Sequence, residues 1–259
     1  RRWPCLRKHG LDCDLSGREK GSGTRVGECH YGLWMWSWLV GETSSARAEE
    51  QEMAARRGAF IVFEGVDRSG KSTQAKLLLQ HLLSCGRDAE LIAFPDREEP
   101  FGKVIDAFLK REFEINSREA VHLAFSLNRW QKVAELREKI ANGIDVICDR
   151  YCFSGVAYSI AGGLDEKWTK QPDIGLPEPD IVLFFDVDPK VAESRGGFGD
   201  ERLESSDLQK RVATELKKLQ QPYWKFIDAN QSLEAVSRQV QESVASVSLE
   251  CPLRSVQSF

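Results

Sequence analysis

Gly65-Val66-Asp67-Arg68-Ser69-Gly70-Lys71-Ser72-Thr73 follows the apolar run Ala59-Phe60-Ile61-Val62-Phe63 and opens a helical pattern, Gln74-Ala75-Lys76-Leu77-Leu78-Leu79-Gln80-His81-Leu82-Leu83. The spacing Gly-x-x-x-x-Gly-Lys-Ser between a strand and a helix is that of a phosphate-cradling loop. Glycine lets the backbone bend so that its N–H groups point at an anion. The N-terminus of the following helix adds partial positive charge at the same point. Lys71 is long enough to reach the outer phosphates of a nucleoside triphosphate, and the Ser72 hydroxyl can ligate Mg²⁺. The stretch therefore predicts a nucleoside triphosphate site.

Outward from this loop, apolar runs alternate with helical patterns. Ala89–Phe94 reads as a second strand ended by Pro95, Ile144–Cys148 as a third, Ile181–Phe185 as a fourth, and Phe226-Ile227 as a short fifth. Helices are predicted over 103–109, from Ser117 to about Asn142 with Gly143 closing it, and from Leu233 to about Val247. The alternation predicts an α/β fold, a doubly wound five-stranded parallel sheet flanked by helices. In such sheets the ligand lies beyond the carboxyl ends of the strands.

The composition narrows the class. Of 259 residues, 41% are hydrophobic and 29% charged, which suits a globular protein with a substantial core. A net charge of −4 implies no bulk attraction to nucleic acid or an acidic membrane, so neither is expected as a partner. No apolar run approaches the roughly 20 residues needed to cross a bilayer. The seven cysteines include no Cys-x-x-Cys pair, which argues for reduced thiols and a cytoplasmic setting, with nuclear or mitochondrial pools alongside.

Residues 1–52 read differently. The run Tyr31–Val40 is apolar but short, and its flanks do not make a clean secretory signal. Asp12, Asp14 and Glu19 speak against a mitochondrial presequence. Met53 lies just ahead of the first strand. We expect the native start there, a disordered or non-native leader over 1–52, a folded domain over 53–250 and a frayed tail over 251–259.

Several side chains gather at the expected carboxyl edge. Asp149, directly after the third strand, can hold Mg²⁺ or its waters; a plain helix-capping role is the alternative. Arg150 beside it can bind a phosphate or form a surface ion pair. Arg97, in Phe94-Pro95-Asp96-Arg97, can offer a planar fork to a phosphate. Phe125 and Arg129 are four apart on a helix and share a face. That pair suits a stacked base with a donor to its carbonyl, although spacing alone favours a core Phe and a surface Arg. The stretch 195–202, with Gly196, Gly197 and Gly199 among charges, reads either as a mobile lid or as a solvated loop.

Together, Glu64–Thr73, Phe94–Arg97, Phe125-Ser126-Leu127-Asn128-Arg129-Trp130 and Asp149–Gly155 resemble the thymidylate kinases, over about residues 58–247. Asp67 and Arg68 within the loop resemble the eukaryotic branch, which carries its catalytic Arg there. The resemblance implies the P-loop NTPase fold with a short lid, transfer of the γ-phosphoryl of ATP to dTMP, Mg²⁺ as cofactor, and a homodimer formed through helices. It implies that Gly65, Arg68, Ser69, Gly70, Lys71, Ser72 and Thr73 bind ATP, with Ser72 and Asp149 holding the metal. Arg68 and Lys71 would neutralise charge on the migrating group, and Asp67 would accept from the 3′-hydroxyl of dTMP. Arg97 and Arg150 would clamp the acceptor phosphate beside Phe94. Phe125 would stack on thymine, Arg129 would donate to its carbonyl, and Tyr158 would disfavour a ribose 2′-hydroxyl.

Around this core the resemblance implies a lid with Arg195, Arg202 and Glu204, Arg195 also reaching ATP, and an adenine-side loop with Asn230 and Gln231. Leu203 stands where the family's eukaryotic members usually have Tyr. A regulatory GTPase would need an Asn-Lys-x-Asp segment, which this sequence lacks.

Overall fold

The computed structural model describes residues 57–195, 201–249 and 251–259. The expected leader and most of the lid's glycine-rich stretch lie outside the described residues. Five parallel strands form one sheet: β1 Phe60–Gly65, β2 Ala89–Ala93, β3 Asp145–Asp149, β4 Ile181–Asp186 and β5 Trp224–Asp228, in the order β2-β3-β1-β4-β5. β3 and β4 flank β1, so the chain crosses between the halves of the sheet beside the phosphate loop. Register places Phe63 opposite Asp149 and Gly65 opposite Phe185, which fixes the loops after β1 and β3 side by side.

The helices among the described residues are α1 Lys71–Ser84, α2 Pro100–Leu109, α3 Arg118–Gln131, α4 Val133–Ala141, α5 Cys152–Ala161, α6 Glu166–Lys170, α7 Pro189–Ser194, α8 Ser206–Lys218 and α9 Leu233–Ala245. Alternation along each strand sorts the core into two layers. Phe60, Val62, Val146, Cys148, Val182 and Phe184 pack with α4, α5 and α8 on one face. Ile61, Phe63, Ile147, Leu183 and Phe185 pack with α1 and α9 on the other. Covered on both faces, the central strands are continuous apolar runs rather than alternating ones.

Three expectations are corrected. The helix predicted from Ser117 to Asn142 is two helices, α3 and α4. At their junction the Lys132 N–H turns to the Arg129 carbonyl, 3.0 Å away and three residues back, while its ammonium is drawn to Asp96, Glu99 and Glu135. The tail over 251–259 does not fray. Ser255 bridges Pro177, Val256 is buried and exchanges backbone bonds with Gly175 and Leu176, and Phe259 meets the Phe153 ring edge-on. Finally, α5, α6 and α7 lie where no helix was predicted, and α5, with α8 after the lid, carries side chains of the site.

Candidate active site

The loop after β1 is shaped by backbone rather than by side chains. Gly65 has φ 146° and lies so near β4 that a Cβ would sit 2.8 Å from the Phe185 carbonyl oxygen. Arg68, at φ 63°, holds a left-handed conformation that side chains seldom adopt. Gly70 caps α1 at φ 97° with no side-chain bond, leaving the first-turn N–H groups of α1 available to an anion. Lys71 is buried, and its Nζ donates to the Val66 carbonyl at 2.6 Å and to Ser69 Oγ at 3.2 Å. Burial, reinforced by the nearby Arg150 charge, lowers its pKa to about 8 against the pull of Asp149, Asp67 and Glu64.

Ser72 Oγ donates to Asp149 Oδ2, and the buried Asp149 Oδ1 has no hydrogen-bond partner among the described residues. A hydroxyl and an unsatisfied carboxylate oxygen at one point are the ligands a hard cation takes. Glu64, in the apolar β1 run, is fully buried and accepts from the N–H groups of Tyr151 and Ser154, each at 3.0 Å, and from Ser154 Oγ. Burial pushes its carboxyl up despite those bonds and the Arg150 charge. Its grip on the start of α5 orients Arg150, a role that only its polarity within an apolar strand could have signalled.

Across the cleft, Asp67 is the hub. Arg150 Nη2 pairs with its Oδ1, while Tyr158 Oη donates to Oδ2 at 2.9 Å and Gln209 Nε2 at 2.6 Å. Burial opposes the carboxylate's charge, but Arg150, Lys71 and these hydrogen bonds outweigh it and hold the pKa below the usual range. Arg150 Nη1 also donates to the Gly65 carbonyl and Ser154 Oγ, and its guanidinium stacks over the Tyr158 ring. Gln209, on α8, further accepts from the Asp67 N–H at 3.0 Å and donates to the Leu203 carbonyl at 2.8 Å. No spacing in the sequence pointed to it.

Arg97 Nη1 is shared by Asp106 at 2.6 Å and Glu201 at 2.8 Å. Its Nε and Nη2 have no protein partner among the described residues, so the side-on edge of the fork remains for an anion. Phe94 is buried against Tyr151, and Phe125 packs on the Ile105–Phe108–Leu109 cluster. Arg129, which spacing alone would put on the surface, is buried and paired with the equally buried Asp173 through Nε at 3.2 Å and Nη2 at 2.6 Å. Its Nη1 is left to the cleft, and at Gly155 even a Cβ would meet it at 2.9 Å.

The lid residues divide. Arg195 donates to the carbonyls of Arg68 and Ala229, each at 2.8 Å, strapping the phosphate loop to the end of β5. Glu204 lies 4.0 Å from Arg68. Arg202 does not line the cleft; it turns to the end of α2 because two helix carbonyls and Glu114 draw it there. Asn230 and Gln231 do not line the cleft either. Their side chains bond Asp228 at the end of β5 and the Asp188 N–H in the loop after β4.

One cleft of about 760 Å³ gathers the rest: Asp67, Arg68, Gly70, Lys71, Ser72, Thr73, Phe94, Arg97, Phe125, Arg129, Asp149, Arg150, Tyr158, Arg195 and Glu204. Gly65 and Ser69 belong to the same loop but do not line the cleft. The family model described as thymidylate kinase matches residues 63–240. A thymidylate kinase of Caenorhabditis elegans is 48% identical over 214 residues, covering 79% of this chain and 98% of that protein. The human thymidylate kinase is 44% identical, covering 73% of this chain and 90% of its own length. A solved thymidylate kinase from Candida albicans superposes with a TM-score of 0.71 at 32% identity, covering 78% of this chain and 99% of that one.

Proposed function

The chain belongs to the thymidylate kinase family, and from that membership we infer what each side of its cleft does. It phosphorylates dTMP to dTDP with ATP as co-substrate. The roles of the residues are our reading, and one observation carries it. The Asp67–Arg150–Tyr158–Gln209 network joins the phosphate loop to a pocket that ends at Phe125 and Arg129.

Lys71 exchanges the Val66 carbonyl for the outer phosphates of ATP, with the loop amides around it. Arg68 neutralises charge on the migrating phosphoryl group. The side-on edge of Arg97 and the guanidinium of Arg150 hold the acceptor phosphate, while Asp67 accepts from the sugar 3′-hydroxyl. Phe125 stacks on thymine, and Arg129 Nη1 donates to its carbonyl. Tyr158, tied to Asp67, crowds the sugar against a 2′-hydroxyl. Such transfer depends on position and charge rather than covalent chemistry. Ser72 and Asp149 would hold Mg²⁺, which supplies neutralisation of the phosphate oxygens. Asn230 and Gln231 shape the adenine-side loop through their bonds to Asp188 and Asp228.

The acting form is a homodimer, supported by the exposed Leu123, Leu127 and Trp130 on one stripe of α3 and Phe101 and Val104 on α2. Light scattering that gives a monomer mass at working concentration counts against this. The setting is cytoplasmic, in keeping with unpaired Cys85, Cys148, Cys152 and Cys251. No helix among the described residues is long and apolar enough to cross a membrane. The test of the reading is ADP production with ATP, Mg²⁺ and each of dTMP, dUMP, CMP, AMP and GMP. Preference for dTMP supports the base-reading pair, and preference for a purine or cytosine acceptor overturns Phe125 and Arg129.

A further inference from the structure

Arg202 does something other than reach for phosphate. The last carbonyls of any helix lack partners within it. At the end of α2, the Arg202 N–H donates to the Leu109 carbonyl and its Nε to the Phe108 carbonyl, both at 3.0 Å. The guanidinium lies 4.6 Å from the Phe108 ring centre, and Nη2 donates to Glu114 at 2.5 Å. A cation at a helix C-terminus and over an aromatic face is favoured on both counts. The next residue, Leu203, joins the Ile105–Phe108–Leu109 cluster. The preceding one, Glu201, bonds Arg97 Nη1, which Asp106 of α2 also holds. α2 itself lies close to the Arg97 loop, since a Cβ on Gly102 would meet the Asp96 carbonyl oxygen at 1.7 Å.

We propose that Arg202 is a positioning residue for the acceptor phosphate: by capping α2 it pins the lid base there and sets Glu201 on Arg97. Among the described residues the tether takes only Nη1, so Arg97 is oriented with its Nε–Nη2 edge uncommitted. Arg202 thus acts on dTMP through two intermediaries and on ATP through none. The inference rests on the reading of Arg97 as a ligand of the acceptor phosphate.

Steady-state kinetics of the full chain, varying ATP and dTMP separately, tests it. Arg202→Met keeps an unbranched apolar side chain but loses the guanidinium that lies over Phe108. It should raise the KM for dTMP about tenfold, with kcat and the KM for ATP changing by less than about twofold. Arg202→Lys restores charge at the helix end and should recover part of the loss. Glu201→Gln should raise the same KM, and combined with Arg202→Met it should add little, because both act through Arg97. An unchanged KM for dTMP in Arg202→Met, or a parallel rise in both KM values, overturns the proposal; so do additive effects in the double variant. If Arg202→Met does not fold, Arg202→Lys and Glu201→Gln carry the same comparison. Arg97→Gln separates the two failures. If it leaves the KM for dTMP unchanged, the reading of Arg97 falls and the proposal with it. If it raises that KM while Arg202→Met is silent, only the proposal falls.

Discussion

The two sides of the cleft are held in different ways. On the donor side, Arg68, Gly70, Lys71 and Ser72 come from one loop, and Asp149 is fixed beside them by strand register. The geometry there is backbone geometry: glycine at positive φ, a left-handed cap, and N–H groups at a helix start. On the acceptor side the groups come from the loop after β2, from α3, α5 and α8, and from the lid base. Side-chain pairs hold them: Arg97 with Asp106 and Glu201, Arg129 with Asp173, Asp67 with Arg150, Tyr158 and Gln209. Backbone geometry tolerates changes of neighbour, whereas a site assembled from pairs is exposed to the loss of any one partner.

The largest expected effect tests the donor side. Arg68→Ala should lower kcat by about 10³-fold or more, the range for a cation that neutralises a transferring phosphoryl group. ATP binding, followed by calorimetry, should remain measurable, since Lys71 and the loop amides stay in place. Undiminished turnover would remove Arg68 from the chemistry. On the acceptor side, Asp173→Asn leaves the Arg129 guanidinium buried without a counter-charge. Breaking such a pair costs about 3–5 kcal/mol, so denaturant unfolding should show a loss of that order together with a higher KM for dTMP. A loss below about 1 kcal/mol would mean that Arg129 finds another partner or water.

The same contrast governs what the sequence disclosed. Glycines, Lys71 and Ser72 at fixed spacing belong to one short segment whose local physics is complete, so their arrangement could be read directly. The three central strands were legible as well, because burial on both faces makes them largely apolar runs. Arg129 was misjudged from spacing because its counter-charge, Asp173, lies in a turn that no local pattern connects to α3. Gln209 was missed for the same reason: α8 carries it to Asp67 from the far side of the lid. Arg202 was legible only as part of a lid, because a charged, glycine-rich stretch says nothing about which helix end lies nearby. The docked tail was equally silent, since a few apolar residues suffice to fill a gap beside Pro177.

Lys71 offers a sharper measure of the donor side. In the fold it gives up its proton at about pH 8, against 10.5 for an ordinary solvated lysine. Between those values the unfolded chain binds more protons, so on this account stability rises with pH. Below about pH 8 the cost of burying the charge is present in full. Relative to Lys71→Met, the protein without nucleotide should gain about 2–3 kcal/mol between pH 8 and 10.5. Urea unfolding of both proteins across that window measures the difference, and groups common to the two cancel. A difference that does not change with pH would mean that Lys71 is better solvated than its contacts with Val66 and Ser69 imply.

The smallest effect bears most directly on the acceptor side. Gln209→Leu removes the 2.6 Å donor to Asp67 and the acceptor for its N–H, while Tyr158 and Arg150 remain. A lost hydrogen bond to a charged group is worth about 1.5–3 kcal/mol; with two partners left, we expect the lower end, about tenfold in kcat/KM for dTMP. Gln209→Glu asks the finer question. A second carboxylate beside Asp67 raises its pKa, so protonation should begin at higher pH and the acid limb of the kcat/KM profile should move upward. In the native protein Arg150 and Lys71 outweigh burial and hold the Asp67 carboxyl below the usual carboxylate range, so the limb is expected there. If Gln209→Glu leaves the limb in place while Gln209→Leu still lowers kcat/KM, the glutamine packs the lid base through Leu203 rather than tuning Asp67. The acceptor side would then depend on one network fewer than its contacts suggest.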